Sequence, residues 1–254
     1  MKIRISRDIF LRTSRSMSSL RDIWFIHGFG GSGQIFNEAF SSPLTKNHDL
    51  YVPDIPGFGV TPPVPGLEGI QGLTSLLGDL IRDVSGDRPI VVVAHSLGGV
   101  IGTWLCERFI DKVAKYINVE GNLTEADAYF CGLANDFDSV SGFQRAYEKK
   151  VFAMLGDSEA AINRHYASMC SADPRAMLML GKSGAAATGE AKSGEEFVAL
   201  NCDKRYYWSE KSTPRQTKTF IEKKNLPDRR FNDCGHWPMI EKAEEFYRAI
   251  LNDL

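Results

Sequence analysis

The sequence predicts an α/β fold: a mostly parallel central sheet with helices on its faces and one all-helical insertion. Three observations lead there. Ile90 to Val93 is a β-branched apolar run bounded by Pro89 and a later glycine pair, as in a strand buried on both faces. After Ser96 the apolar period turns helical, with Val100, Ile101, Trp104, Leu105 and Phe109 on one side. From Thr124 to Leu200 no strand pattern occurs, although strand-like segments stand before and after.

At 254 residues the chain can bury a full core within one domain. Its apolar share of 43% and charged share of 24% are ordinary for a soluble globular protein. A net charge of −2 without a basic block argues against nucleic acid as the main partner. The longest apolar runs are strand-sized, so no membrane span is expected. Met1 to Arg12 lacks the apolar centre of a secretory signal. Cys106, Cys131, Cys170, Cys202 and Cys234 are odd in number, scattered and without C-x-x-C spacing. That pattern fits free thiols in a reducing compartment rather than disulfides or zinc, and a cytoplasmic location is expected.

Residues 2 to 14 read as one or two exposed strands. Asp22 to Ile26 is an apolar strand, followed by His27-Gly28-Phe29-Gly30-Gly31-Ser32-Gly33. Glycines at that density bring backbone close to a ligand or turn it tightly. Gly28, Gly30 and Gly33 also satisfy the dinucleotide fingerprint G-x-G-x-x-G, but no acidic residue ends a following strand at the required distance. Leu50 to Val52 is a short strand leading into Pro53-Asp54-Ile55-Pro56-Gly57-Phe58-Gly59, a turn in which Asp54 is expected to serve the backbone. Gln71 to Val84 has the stripe of an amphipathic helix: Leu73, Leu76, Leu77, Leu80, Ile81 and Val84.

Ser96 then sits in the bend between a strand and a helix. Ala94-His95-Ser96-Leu97-Gly98 has the shape of the G-x-S-x-G elbow, with alanine in the first glycine place. A serine there projects its hydroxyl above the sheet, beside the free N–H groups of a helix start. The alternative is a serine that only caps the helix.

Val113 to Val119 is the next strand, ending at Glu120-Gly121-Asn122. Thr124 to Asp127 resembles a capping box. Helix-like blocks follow near 124–133, 140–155, 158–170, 173–181 and 194–200, with Asp173-Pro174 as a cap and first-turn pair. The small, polar stretch from Gly181 to Gly194 is expected to be a surface loop. Arg205 to Trp208 is a short strand, Thr217 to Lys224 a helix, Arg230 to Asn232 a last strand, and Met239 to Leu251 the closing helix.

His-Gly-Phe-Gly-Gly-Ser, Asp-Ile-Pro-Gly-Phe-Gly and Ala-His-Ser-Leu-Gly-Gly, in that order, resemble the α/β-hydrolase fold family. Gly235-His236-Trp237-Pro238-Met239-Ile240-Glu241 before a closing helix resembles the family's histidine loop. The resemblance covers most of the chain and leaves residues 122–196 outside, where the helices resemble the family's cap. It implies a core of residues 1–121 and 197–254 around a cap at 122–196. It further implies Ser96 as nucleophile, His236 as base, and Phe29 and Leu97 N–H groups as the oxyanion hole. His27 and His95 are expected to be structural.

The acid departs from the family pattern. The position that usually carries it, in Ser209-Glu210-Lys211-Ser212, is a serine, which cannot carry charge. Asp203 precedes its strand and so stands at the wrong end of the sheet, the alternative if that strand is misplaced. Glu120 ends the strand after the nucleophile. It resembles the acid of some haloalkane-dehalogenase relatives, which use an aspartate where Ser96 stands, and is the expected third member. The function implied is hydrolysis of a small carboxylic ester through Ser96, His236 and Glu120, without metal or cofactor. C–C bond hydrolysis, acyl transfer, or a slow-turnover receptor retaining the same pocket are the alternatives.

Overall fold

The computed structural model describes residues 1–154 and 160–254. Its single sheet has the order β1-β2-β4-β3-β5-β6-β7-β8. The strands are β1 (Lys2–Ser6), β2 (Ile9–Ser14), β3 (Arg21–Ile26), β4 (His48–Pro53), β5 (Ile90–His95), β6 (Val113–Val119), β7 (Lys204–Ser209) and β8 (Asp228–Phe231). β1 and β2 pair antiparallel with each other and β2 antiparallel with β4, whereas β4, β3, β5, β6, β7 and β8 run parallel. The α/β fold with a mostly parallel sheet is therefore as the sequence predicts.

Sheet order dictates where a site can form. From β3 the chain moves outward to β4, then returns through α1 (Gly69–Ser85) to place β5 on the other side of β3. The carboxyl ends of β3 and β5 thus flank a topological switch point, where loops diverge and leave a crevice. β4 and β5 are buried along their whole length, which accounts for continuous apolar runs instead of alternation. α2 (Gly98–Arg108) follows β5 and leads to β6.

Between β6 and β7, the described residues form only helices. Short 3-10 turns at Glu125–Tyr129 and Cys131–Asp136 precede α3 (Val140–Met154), α4 (Ala160–Cys170), α5 (Pro174–Thr188) and α6 (Lys192–Ala199). The expected helix ends at 155 and 158 lie outside the described residues. Asp173 caps α5 as expected, its Oδ1 accepting the Arg175 and Ala176 N–H groups at 2.9 Å each. α7 (Arg215–Lys224), α8 (Pro238–Glu241) and α9 (Ala243–Asp253) complete the chain.

Two expectations need correction. β2 is not exposed: Ile9 and Leu11 are fully buried and β2 is paired on both edges, so of these two strands only β1 lies at an edge of the sheet. Nor is 181–194 a surface loop, since α5 runs through Thr188 and α6 starts at Lys192. Its small residues are packing positions. A Cβ on Gly184 would stand 2.6 Å from Leu97 Cδ2, and one on Gly181 would stand 2.6 Å from Ala134 Cβ. Only glycine lets α5 lie so close to the elbow.

Candidate active site

Ser96 occupies the turn between β5 and α2 with φ 55°, a left-handed conformation that costs a non-glycine residue about 1–3 kcal/mol. The surroundings impose it. Ser96 N–H donates to the Val119 carbonyl at 3.0 Å, and the Ser96 carbonyl accepts Gly99 N–H at 2.7 Å. α2 has no side-chain cap, and among the described residues the Ser96 hydroxyl makes no hydrogen bond, so it does not serve as a helix cap. Facing it is the turn after β3, closed by Gly31 N–H on the Gly28 carbonyl at 3.3 Å. A Cβ on Gly28 would come within 2.6 Å of Ser96 Cβ, so glycine is needed for this approach. The turn opens no α-helix but a 3-10 segment at Gly33–Ser41, unlike a dinucleotide-binding turn. Among the described residues, neither the Phe29 nor the Leu97 N–H has an acceptor.

Glu120 follows β6, one strand beyond Ser96, and also takes a left-handed φ, 49°. Its Oε2 lies 3.1 Å from His236 Nδ1. The carboxylate also accepts from Ser209 N–H at 2.5 Å, Ser212 Oγ at 2.7 Å and Thr213 Oγ1 at 2.6 Å. Three donors fix the carboxylate and leave it oriented on the imidazole. Ser212, in the place where an acid is usual, is thus a donor to the acid. An aspartate there would set a second carboxylate against Glu120, and like charges at that range resist joint ionisation.

His236 lies between β8 and α8, and its loop is held at three points. His95 Nε2 donates to the His236 carbonyl at 2.8 Å. Glu241 accepts Gly235 N–H at 2.7 Å and Trp237 N–H at 3.1 Å. Burial pushes the His95 ring well below its ordinary pKa, so it is a neutral donor to that carbonyl.

A small cavity of about 10 Å³ joins Ser96 to His236, with Gly28, Phe29, His95 and His165 on its wall. That is room for about one water molecule. Beyond Phe130, His236 and Trp237 lies an open cleft of about 630 Å³, lined also by Tyr129, Met154, Ile162, Lys211 and Ser212. Ser96 and His236 share the small cavity without a hydrogen bond between them. Contacts of this type commonly tighten only when substrate is bound.

The sequence profile of the Alpha/beta hydrolase family matches residues 25–249, nearly the whole chain. The chain belongs to the alpha/beta hydrolase family. Human Protein ABHD8 is 28% identical over 116 residues, 44% of this chain and 26% of that protein. The matched stretch thus spans about a quarter of the length of this relative, and the same holds for its Macaca fascicularis counterpart. Among solved structures, a thermophilic esterase from Thermogutta terrifontis superposes with a TM-score of 0.72 at 17% identity, covering 96% of this chain and 92% of the other. The N-acyl homoserine lactonase AidH superposes with a TM-score of 0.73 at 18% identity, over 99% and 94%. These likenesses are of fold.

The remaining polar residues of this alpha/beta hydrolase fall away from the cavity or support it. Asp203 stands before β7 and pairs with Lys115 at 2.7 Å, its side chain 63% exposed. Asp54 serves backbone, as expected, but also Arg12: Oδ1 accepts Arg12 Nη1 at 2.6 Å and Gly33 N–H at 2.7 Å, and Oδ2 accepts Val60 N–H at 3.0 Å. His27 accepts Ile55 N–H on Nε2 at 2.9 Å, and burial lowers its pKa to about 4. Among the described residues no cluster of three or more His, Cys, Asp or Glu could hold a metal. No described helix is long and apolar enough to cross a membrane. Sequence reasoning missed Thr213, Glu241, Tyr147 and His165. Thr213 is next to Ser212 and Glu241 stands five residues after His236, both beside positions already singled out, whereas nothing local marks the cap pair Tyr147 and His165.

Proposed function

We propose that the chain is a serine hydrolase acting on a small carboxylic ester through Ser96, His236 and Glu120. The observation that carries this reading is the contact of His236 Nδ1 with Glu120 at 3.1 Å, beside a serine in a strained strand-to-helix turn. With Nδ1–H held by Glu120, Nε2 is the nitrogen left to take the Ser96 proton. Ser96 Oγ attacks the ester carbonyl. The developing oxyanion is taken by Phe29 and Leu97 N–H, donors with no acceptor among the described residues. The imidazolium formed is stabilised by Glu120 and gives its proton to the leaving alcohol. Water, deprotonated by the same histidine, then releases the acid and restores Ser96. Apart from the ester and one water, these steps use side chains and backbone of the protein.

Residues 122–196 act as the cap over a core of residues 1–121 and 197–254, with Tyr129, Phe130 and Met154 walling the cleft where substrate enters. The five cysteines are free, which fits a reducing, cytoplasmic setting. C–C bond hydrolysis and acyl transfer run on the same residues, and supplying diketones or alternative acceptor alcohols sorts them. The observation on the side of a slow-turnover receptor is the missing Ser96–His236 hydrogen bond. A generic aryl ester tests the reading. Steady turnover, abolished in Ser96→Ala with the fold intact, is expected, with fluorophosphonate labelling of wild type at Ser96. A single acylation that never turns over would favour the receptor, and undiminished hydrolysis in Ser96→Ala would remove Ser96 from the mechanism.

A further inference from the structure

The space at Ser96 is too small for any ester to react in it. The cavity beside the hydroxyl has room for about one water, and even an acetyl group is larger. The cleft beyond it, of about 630 Å³, is wide enough for a small ester, but Ser96 is not on its wall. Three residues line both spaces: Phe130, His236 and Trp237. They form the partition between the cleft and the nucleophile, and one of them has to move before an acyl group can reach Ser96.

Two of the three are tied by hydrogen bonds. His236 Nδ1 lies 3.1 Å from Glu120, and the His236 carbonyl accepts from His95 Nε2 at 2.8 Å. Trp237 N–H donates to Glu241 at 3.1 Å, and the Trp237 carbonyl accepts the Ile240 and Glu241 N–H groups at 2.9 Å each. The Phe130 side chain is held by packing alone, since a phenyl ring has no hydrogen bond for a change of rotamer to break. It comes from the junction of the 3-10 turns Glu125–Tyr129 and Cys131–Asp136 and is 5% exposed. Its ring packs on Tyr147 and His165, centroids 6.1 and 5.5 Å away. A 3.1 Å hydrogen bond joins those two residues to each other, so the side on which the Phe130 ring can yield is the open cleft.

We infer that Phe130 is the specificity-determining residue for the acyl group: its ring swings into the cleft, joins the two spaces and leaves the acyl group the volume it vacates. The inference rests on the ester-hydrolase reading above and narrows its substrate class. At the packing density of a protein interior, the place of a phenyl ring takes an acyl chain of up to about six carbons, or one benzoyl group. A longer chain meets the displaced ring in the cleft.

A fluorophosphonate with a decyl chain reads access to Ser96 separately from turnover. In Phe130→Ala the partition is breached, and labelling of Ser96 should speed up about tenfold or more, because a form open for about a tenth of the time or less slows the reaction by that fraction. On 4-nitrophenyl esters from acetate to dodecanoate, kcat/KM of wild type should fall beyond hexanoate, whereas Phe130→Ala should accept the longer chains. Phe130→Leu should fall between the two, and it carries the test if the alanine variant does not fold. Phe143, on α3, is fully buried in the cap and borders neither space. Phe143→Ala therefore loosens the cap without opening the partition and should not speed labelling. Equal acceleration in Phe143→Ala and Phe130→Ala, or a wild-type labelling rate and chain-length profile in the Phe130 variants, would overturn the inference. Turnover of the acetate ester leaves the hydrolase reading standing in that event. No label on Ser96 and no turnover in any of these proteins would end both.

Discussion

Glu120, the acid of the proposed mechanism, stands at the end of β6 and still meets His236. A carboxylate at the end of β6 reaches His236 because three donors from the β7 turn pull it there: Ser209 N–H, Ser212 and Thr213. Glu120→Gln should therefore lower kcat by about 10⁴, the scale of the acid-to-amide change in a serine protease, with KM little changed. Ser212→Ala removes one donor of three and should cost kcat about tenfold or less, with unchanged thermal stability to within a few degrees. Ser212→Asp should cost more than Ser212→Ala in wild type, by repulsion, and less than nothing in Glu120→Gln, where it supplies the missing charge. Steady-state kinetics on the five proteins read all of this. The position of Glu120 was legible because a strand end can be counted from the elbow. The donor set was not, because the path of a turn decides where Ser212 and Thr213 point, and no periodicity encodes that path.

At the scale of elements, the strand-turn-helix unit of β5 and α2 was legible nearly residue by residue, since burial on both faces leaves an unbroken apolar run. α5 was misread for an equally physical reason. Gly181, Gly184 and the alanines from 185 to 187 look like a loop by composition, yet the smallness of the two glycines serves contact with Ala134 and Leu97. Gly184→Val tests this. The side chain would overpack against Leu97, at a cost of about 1–3 kcal/mol, and displace the residue whose N–H is proposed to hold the oxyanion. Both the unfolding midpoint and kcat should fall. A change on an exposed position such as Glu190→Val should do neither. Full stability in Gly184→Val would mean that α5 does not rest on the elbow.

Across the whole molecule, buried histidines tie stability to pH. His27 and His165 have pKa values lowered to about 4 and about 3, and His95 and His48 are lowered also, in each case chiefly by burial. Unfolded, each binds its proton near pH 6.5. Between those values the unfolded chain holds more protons, so stability is full above pH 6.5 and falls as pH drops, by about 1.4 kcal/mol per pH unit for each fully neutral ring. Asp127 acts in the opposite sense. Burial raises its pKa to about 6, so its contribution is present below the ordinary carboxylate range and is lost as pH rises through 6. The histidines outnumber it, and denaturant midpoints should fall between pH 7 and pH 5. His165→Asn should show a shallower fall than wild type. A flat profile in wild type would mean that the rings are charged, or wet, in the folded state. None of this was legible in the sequence, where five histidines in 254 residues give no sign of which are enclosed.

The central claim is that Ser96 carries the acyl group. Wild-type protein mixed with an aryl ester, quenched in acid within the first turnover and digested, should yield the peptide containing Ser96 heavier by the acyl mass. Ser96→Ala should give no adduct, and Glu120→Gln should accumulate it more slowly. An acyl adduct on any other residue, or turnover of the ester with none on Ser96, would contradict the account.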